Sequence, residues 1–176
     1  MRILAISGST RRESLNTRLA HLVGTVRDAD EVTVVADLHR LPYYDGDVEA
    51  AGTPAPVAEL RAAVAAADAV VFVSPEYNGA TPGVLANAVD WLSRPYGEST
   101  LRGKPTLVLS ASVTPYGGSR AATRLREVLT EIGAVVSPEH LAVAAAHERL
   151  TTDTALTTDL STTLRAALAT PDLTPA

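Results

Sequence analysis

The chain has 176 residues, enough for one well-filled core, and its mixture of 46% apolar, 20% charged and only 4% aromatic residues predicts a mostly aliphatic interior. A formal charge of -5 argues against a broad basic surface for duplex nucleic acid or anionic lipid, so the expected partner is a small molecule. The lack of cysteine excludes disulfides, thiolate nucleophiles, iron–sulfur clusters and Cys-rich zinc sites.

The first apolar run, Ile3 to Ile6, reads as a strand, and no segment approaches the roughly 18 consecutive apolar residues of a membrane span. A soluble, cytoplasmic protein is expected. Leu15, Leu19, Leu22, Val23 and Val26 then recur at helical spacing, giving an amphipathic helix that packs on a sheet. A strand at Val32 to Val35 and an alanine-rich helix carrying Val57, Leu60 and Val64 follow. A strand at Ala69 to Val73 leads to a helix burying Leu85, Ala88, Val89 and Leu92. The pattern repeats with a strand at Thr106 to Leu109, a helix with Leu125, Val128, Leu129 and Ile132, and a strand at Ala134 to Val136. A final helix is predicted from about Thr151 to Leu168, and residues 171–176 read as a frayed tail.

Strands alternating with helices imply right-handed βαβ crossovers, and the apolar strand runs imply a sheet covered on both faces. The fold class is therefore α/β, a three-layer sandwich around a five-stranded parallel sheet, in a single domain over residues 1–170. Ligands of such sheets bind at the carboxyl ends of the strands, near the switch in strand order. Attention thus falls on the loops after Ser7, Ala36, Ser74 and Ser112.

The loop after the first strand reads "SGSTRRESLN", residues 7 to 16. Ser9, Thr10 and Ser14 bring hydroxyls, Arg11 and Arg12 bring guanidinium charge, and the following helix aims free amides and its positive dipole end at the loop. This is more than a strand-to-helix turn requires, and it suits a phosphate monoester. Ser14 also reads as an N-cap, and for Arg12 a solvated surface role stands level with a functional one. Neither a Walker A sequence nor a G-x-G-x-x-G fingerprint is present, and no cysteine nucleophile accompanies the loop, so it binds phosphate without cleaving it.

The loop after the third strand reads "SPEYNGATPGVLANAVDWL", residues 74 to 92. Pro75 ends the ladder, Gly79 and Gly83 permit unusual backbone geometry, and Thr81-Pro82 starts a helix. A stiff loop of this kind can hold backbone amides in fixed directions for a planar heterocycle.

Together, "GSTRRESLN" and "SPEYNGATPGVLANAVDWLSRP" resemble the NAD(P)H-dependent FMN reductase family of flavodoxin-like proteins, which includes quinone, chromate and azo reductases. "DLHRLPYYDGD" and "YGGSRAATRLREVLTEIGA" extend the likeness over residues 2 to 140. The resemblance implies that Ser9, Arg11, Ser14 and Asn16 hold the FMN phosphate. It implies that Pro75, Glu76, Tyr77, Asn78 and Gly79 line the ring, chiefly through backbone groups, while Ser112, Gly117 and Gly118 close its other side. Thr114 departs from the family, many of whose members carry glycine there. A structural or subunit-contact role competes for Glu76, and Trp91 reads as a helix or subunit contact rather than a flavin stacker.

What the resemblance implies about activity is hydride transfer from NADPH or NADH through bound FMN to a small-molecule electron acceptor such as a quinone or free flavin. The flavin carries the chemistry and no catalytic side chain is required. A flavodoxin-like electron carrier is the alternative, and a non-catalytic nucleotide-binding module a third reading. The resemblance further implies a homodimer or homotetramer. Arg40, Arg94 and Arg120 are candidates to meet the 2′-phosphate that separates NADPH from NADH.

Overall fold

A computed structural model of the chain describes residues 1–150 and 154–169. Its strands are β1 (Arg2–Ser7), β2 (Glu31–Val35), β3 (Ala69–Ser74), β4 (Pro105–Ala111) and β5 (Val135–Val143). All are parallel, in the order β2-β1-β3-β4-β5, which is the flavodoxin-like order. The helices are α1 (Leu15–Val26), α2 (Gly46–Ala51), α3 (Ala55–Ala66), α4 (Gly83–Leu92), α5 (Ser119–Glu131), α6 (Ala146–Arg149) and α7 (Thr154–Leu168).

Because successive strand side chains alternate between faces, the sheet divides its apolar residues into two cores. Ile3, Ala5, Val71, Val73, Leu107 and Leu109 meet α1 and α7 on one side, whereas Leu4, Ile6, Val70, Phe72 and Val108 meet α3, α4 and α5 on the other. The placement follows from crossover handedness. From β1 to β2 the chain moves one way across the sheet, so α1 covers one face; from β2 through β5 it moves the other way, so α3, α4 and α5 cover the opposite face.

Three features depart from the expected pattern. The short α2 buries no side chain, so no apolar periodicity announces it. Strand β5 runs on to Val143 past Pro138 by resuming its pairing with β4 after a register irregularity opposite Thr106–Val108, where Arg126 of α5 donates to the carbonyls of Ser137 and Pro138 at 3.1 and 3.0 Å. Strand β2 lies at the sheet edge and is only partly buried. The expected start of the last helix at Thr151 and the tail at 171–176 lie outside the described residues. Among the described residues no helix is long and apolar enough to cross a membrane.

Candidate functional site

The switch in strand order falls between β1 and β3, whose neighbours in sequence lie on opposite sides. Ser7 is in register with Val73, and the Gly8 amide continues the ladder to the Val73 carbonyl at 2.9 Å. The loops after β1 and β3 therefore separate from a common line. Ser74 pairs in register with Ser110 of β4, which brings the loop after β4 alongside the second of them.

In the first loop the Ser14 side chain accepts from the Thr17 amide at 3.1 Å and caps α1, leaving its own hydroxyl proton available to an outside acceptor. Ser9 is buried, and its oxygen lies 3.4 Å from the Arg11 amide. The amides of Leu15 and Asn16 sit in the first turn, where no intrahelical carbonyl reaches them. Arg11 and Arg12 are exposed, and neither meets a carboxylate among the described residues; Arg11 curls back toward the Glu13 carbonyl at 3.5 Å. Hydroxyls, amides and uncompensated cations thus share one loop at a helix N-terminus, a donor set that fits a phosphate.

The Asn16 side chain is engaged at both ends, which leaves its backbone amide as the group it can offer a phosphate. Its Nδ2 donates to the Ala111 carbonyl at 2.9 Å and its Oδ1 accepts from the Ala111 amide at 3.0 Å. Buried at 5% exposure, it fastens the entry of α1 to the end of β4, so its geometry is that of a residue that positions the loop.

The second loop is a tight hairpin. Tyr77 and Ala80 exchange both backbone hydrogen bonds, at 3.1 and 3.0 Å, across Asn78 and Gly79, whose φ values are 54° and 71°. Two positive φ values in a row define a type I′ turn, and Asn-Gly is its preferred dipeptide. The turn consumes the amides of Tyr77 and Ala80, leaving those of Asn78 and Gly79 with no partner among the described residues. The Glu76 carboxylate is committed elsewhere: Oε2 accepts from the amides of Arg120 and Ala121 at 3.0 and 3.2 Å. It caps α5, whose N-cap residue, Gly118, has no side chain to do so, and thereby ties the second loop to the third.

The third loop is sewn to the end of β5 through Ser112, whose amide reaches the Val143 carbonyl at 3.1 Å. The hydroxyls of Ser112 and Thr114 lie 3.1 Å apart, so the unusual threonine finds a use in closing the turn. Gly117 has φ 62°, and a Cβ there would stand 2.7 Å from the Ala142 carbonyl carbon. Gly118, at φ 83°, packs over Ser110, whose buried hydroxyl has no hydrogen-bond partner among the described residues. Tyr77, Val113 and Tyr116 are the exposed apolar groups of these loops, at 49%, 59% and 65%.

Trp91 takes no part in the loops. It is fully buried and donates through Nε1 to the Pro42 carbonyl at 2.8 Å, beside Asn87, which bonds both Pro42 and Tyr44. Tyr44 meets it edge to face at 5.0 Å between ring centres. Trp91 and Asn87 therefore hold the Pro42–Tyr44 segment onto α4, a role that their i, i+4 spacing allows but does not reveal.

Residues 1–148 match the protein family described as NADPH-dependent FMN reductase. An NAD(P)H-dependent FMN reductase of Pseudomonas aeruginosa is 42% identical over 130 residues, which are 73% of this chain and 69% of that protein. A quinone reductase of Escherichia coli is 38% identical over 138 residues, 77% of this chain and 73% of its own. Among solved structures, the flavoenzyme NAD(P)H:(acceptor) oxidoreductase of Paracoccus denitrificans has a TM-score of 0.81 at 29% identity, covering 94% of this chain and 93% of that one.

Proposed function

The chain belongs to the NADPH-dependent FMN reductase family, and from that premise we propose that its three loops form one FMN site at which NAD(P)H and an oxidised acceptor are used in turn. The activity is that of an FMN-dependent NAD(P)H oxidoreductase. The observation that carries the assignment of the site is the juxtaposition, across the β1–β3 switch point, of a phosphate-type donor loop and a hairpin with two uncommitted amides.

Ser9, Arg11, Ser14 and the first amides of α1 would hold the phosphate, with Asn16 fixing their position from Ala111. Pro75, Glu76, Tyr77, Asn78 and Gly79 would offer the ring their backbone, and the Asn78 and Gly79 amides present fixed dipoles wherever negative charge develops. Ser112, Gly117 and Gly118 would bound the opposite side. When bound, FMN supplies the hydride-accepting and electron-passing chemistry, and the protein contributes binding, orientation and electrostatics.

Quinones and free flavin are the acceptor classes that the relatives' names support. A homodimer or homotetramer is part of this reading, with the exposed Tyr43 and Tyr96, at 83% and 91%, available as contact residues. The test is direct. Purified protein mixed with FMN acquires a bound-flavin spectrum, oxidises NAD(P)H with a quinone, and loses its visible flavin absorption on anaerobic mixing with NADPH. Flavin binding without that anaerobic loss would assign the chain to electron carriers instead.

A further inference from the structure

We propose that Arg120, assisted by Arg124, engages the 2′-phosphate of NADPH and gives the enzyme a preference for NADPH over NADH; the inference rests on the reading of the three loops as the site of the flavin and its nucleotide donor. NADPH and NADH differ only in that phosphate, a dianion for which a guanidinium fork is the preferred side-chain partner. The preference then depends on which arginine near the loops is free to meet it.

Arg2, Arg18, Arg27, Arg40, Arg61 and Arg149 each have a carboxylate within 4.0 Å. Arg40 is held by two, Asp37 at 3.0 Å and Glu59 at 3.4 Å, and is already neutralised. Arg126 and Arg165 are engaged by backbone carbonyls. Arg94 lies 5.1 Å over the Tyr44 ring, whose hydroxyl bonds Glu49, so its surroundings are partly acidic. Arg11 and Arg12 belong to the phosphate loop of the flavin.

Of the rest, Arg102 is exposed at the amino end of β4, away from the loops, whereas Arg120 and Arg124 stand on α5, which starts from the third loop. Both are exposed, and neither guanidinium meets a carboxylate among the described residues. They stand four apart on α5 and so share one face. Arg120 is also held in place. Its amide is fixed by Glu76, its guanidinium lies 5.9 Å over the Tyr116 ring, and its Cδ sits 3.8 Å from where a Cβ on Gly79 would be. Its stem is thus placed between the hairpin and the third loop, with the charge at the rim. A donor seated by its nicotinamide extends its adenosine half outward from the loops, and Arg120 stands at their edge on the first turn of α5. In a chain of net charge -5, two uncompensated cations there form a local feature rather than a generally basic surface.

The test compares kcat/KM for NADPH and NADH in the FMN-loaded wild type, Arg120→Ala, Arg120→Lys, Arg120→Gln and Arg124→Ala, together with calorimetric binding of NADP+ and NAD+. Arg120→Ala is expected to lower kcat/KM for NADPH about tenfold or more through KM, and to weaken NADP+ binding comparably, while the NADH values stay within about twofold. Arg120→Lys should recover part of the loss, Arg124→Ala should show a smaller loss in the same direction, and Arg120→Gln repeats the test with a side chain that keeps the packing. Equal losses with both nucleotides, no loss with either, or a wild type that favours NADH would overturn the proposal. A wild type that oxidises neither nucleotide would instead remove the reading of the site on which it rests.

Discussion

Arg11 and Arg12 carry the same charge on adjacent residues, yet their surroundings differ. The Arg11 amide approaches Ser9 Oγ and its guanidinium turns back toward the Glu13 carbonyl, which keeps it over the mouth of the phosphate loop. Arg11→Ala is therefore expected to weaken FMN retention by about 1–3 kcal/mol, the range for a charge-assisted contact, and Arg12→Ala by less. Flavin dissociation measured by fluorescence checks this, and equal, negligible effects would remove Arg11 from the site. Asn16 acts by a different route. Asn16→Ala leaves the Ala111 amide and carbonyl buried without their partner, at about 1–3 kcal/mol for each group so orphaned, so a lower urea midpoint should accompany any loss of flavin. A variant that lost flavin at unchanged stability would show that the side chain serves the phosphate directly. No sequence pattern distinguishes these uses of Asn16, because the difference lies in which side of the helix entry the end of β4 occupies.

At the scale of elements, what could be read in advance was whatever leaves a local signature. Strand and helix positions follow from the period of their apolar residues, and the phosphate loop from the crowding of hydroxyls and arginines before a helix. Around Asn78-Gly79 the expected feature is only a stiff loop and the hairpin is missed, although the dipeptide itself carries a type I′ preference. The continuation of β5 beyond Pro138 was not legible. A Ser-Pro pair ordinarily ends a strand, and here the ladder with β4 resumes from His140 after a register irregularity, with Arg126 occupying the Ser137 and Pro138 carbonyls in between. Nor was the Glu76 cap on α5 legible, since it joins residues 44 positions apart. The third loop offers a test at this scale. In Gly117→Ala the new Cβ meets the Ala142 and Ala144 backbone at 2.7 to 2.9 Å from a positive φ, so the loop must move off β5. Weaker flavin binding with a lowered melting temperature is expected. If the Gly117→Ala protein keeps both its flavin affinity and its melting temperature, the loop has room that the packing denies.

The whole molecule separates its charges along the strand axis. At the amino ends of the strands several cations are matched, although Arg102, beside Gly133, has no carboxylate partner among the described residues. Asp30 takes the N-terminal amine at 2.6 Å and Arg27 at 2.5 Å, Asp68 takes the Arg2 amide and guanidinium, and Lys104 caps α3 through the Ala67 carbonyl. At the carboxyl ends, Arg11, Arg12, Arg120 and Arg124 have no carboxylate partner among the described residues, which leaves positive potential where phosphates are to be bound. The matched end has a consequence in acid. The Asp30 carboxyl, at 11% exposure, is held below its ordinary value of 3.8, first by the hydrogen bond from the N-terminal amine, against the opposing effect of burial, and then by Arg27. A carboxyl whose folded pKa is depressed stabilises the fold fully above its unfolded value and loses that contribution as pH falls through the folded value. Asp68 is shifted in the same direction, mainly by the Arg2 amide. The urea midpoint of the wild type should therefore fall as the pH drops below about 4. Asp30→Asn should start lower at pH 6, and the gap between the two proteins should narrow steadily toward pH 3 as the wild-type carboxylate takes up its proton. A gap that stayed constant over that range would mean that Asp30 contributes through packing and neutral hydrogen bonds, and that its charge is not what clasps the amino end of the sheet.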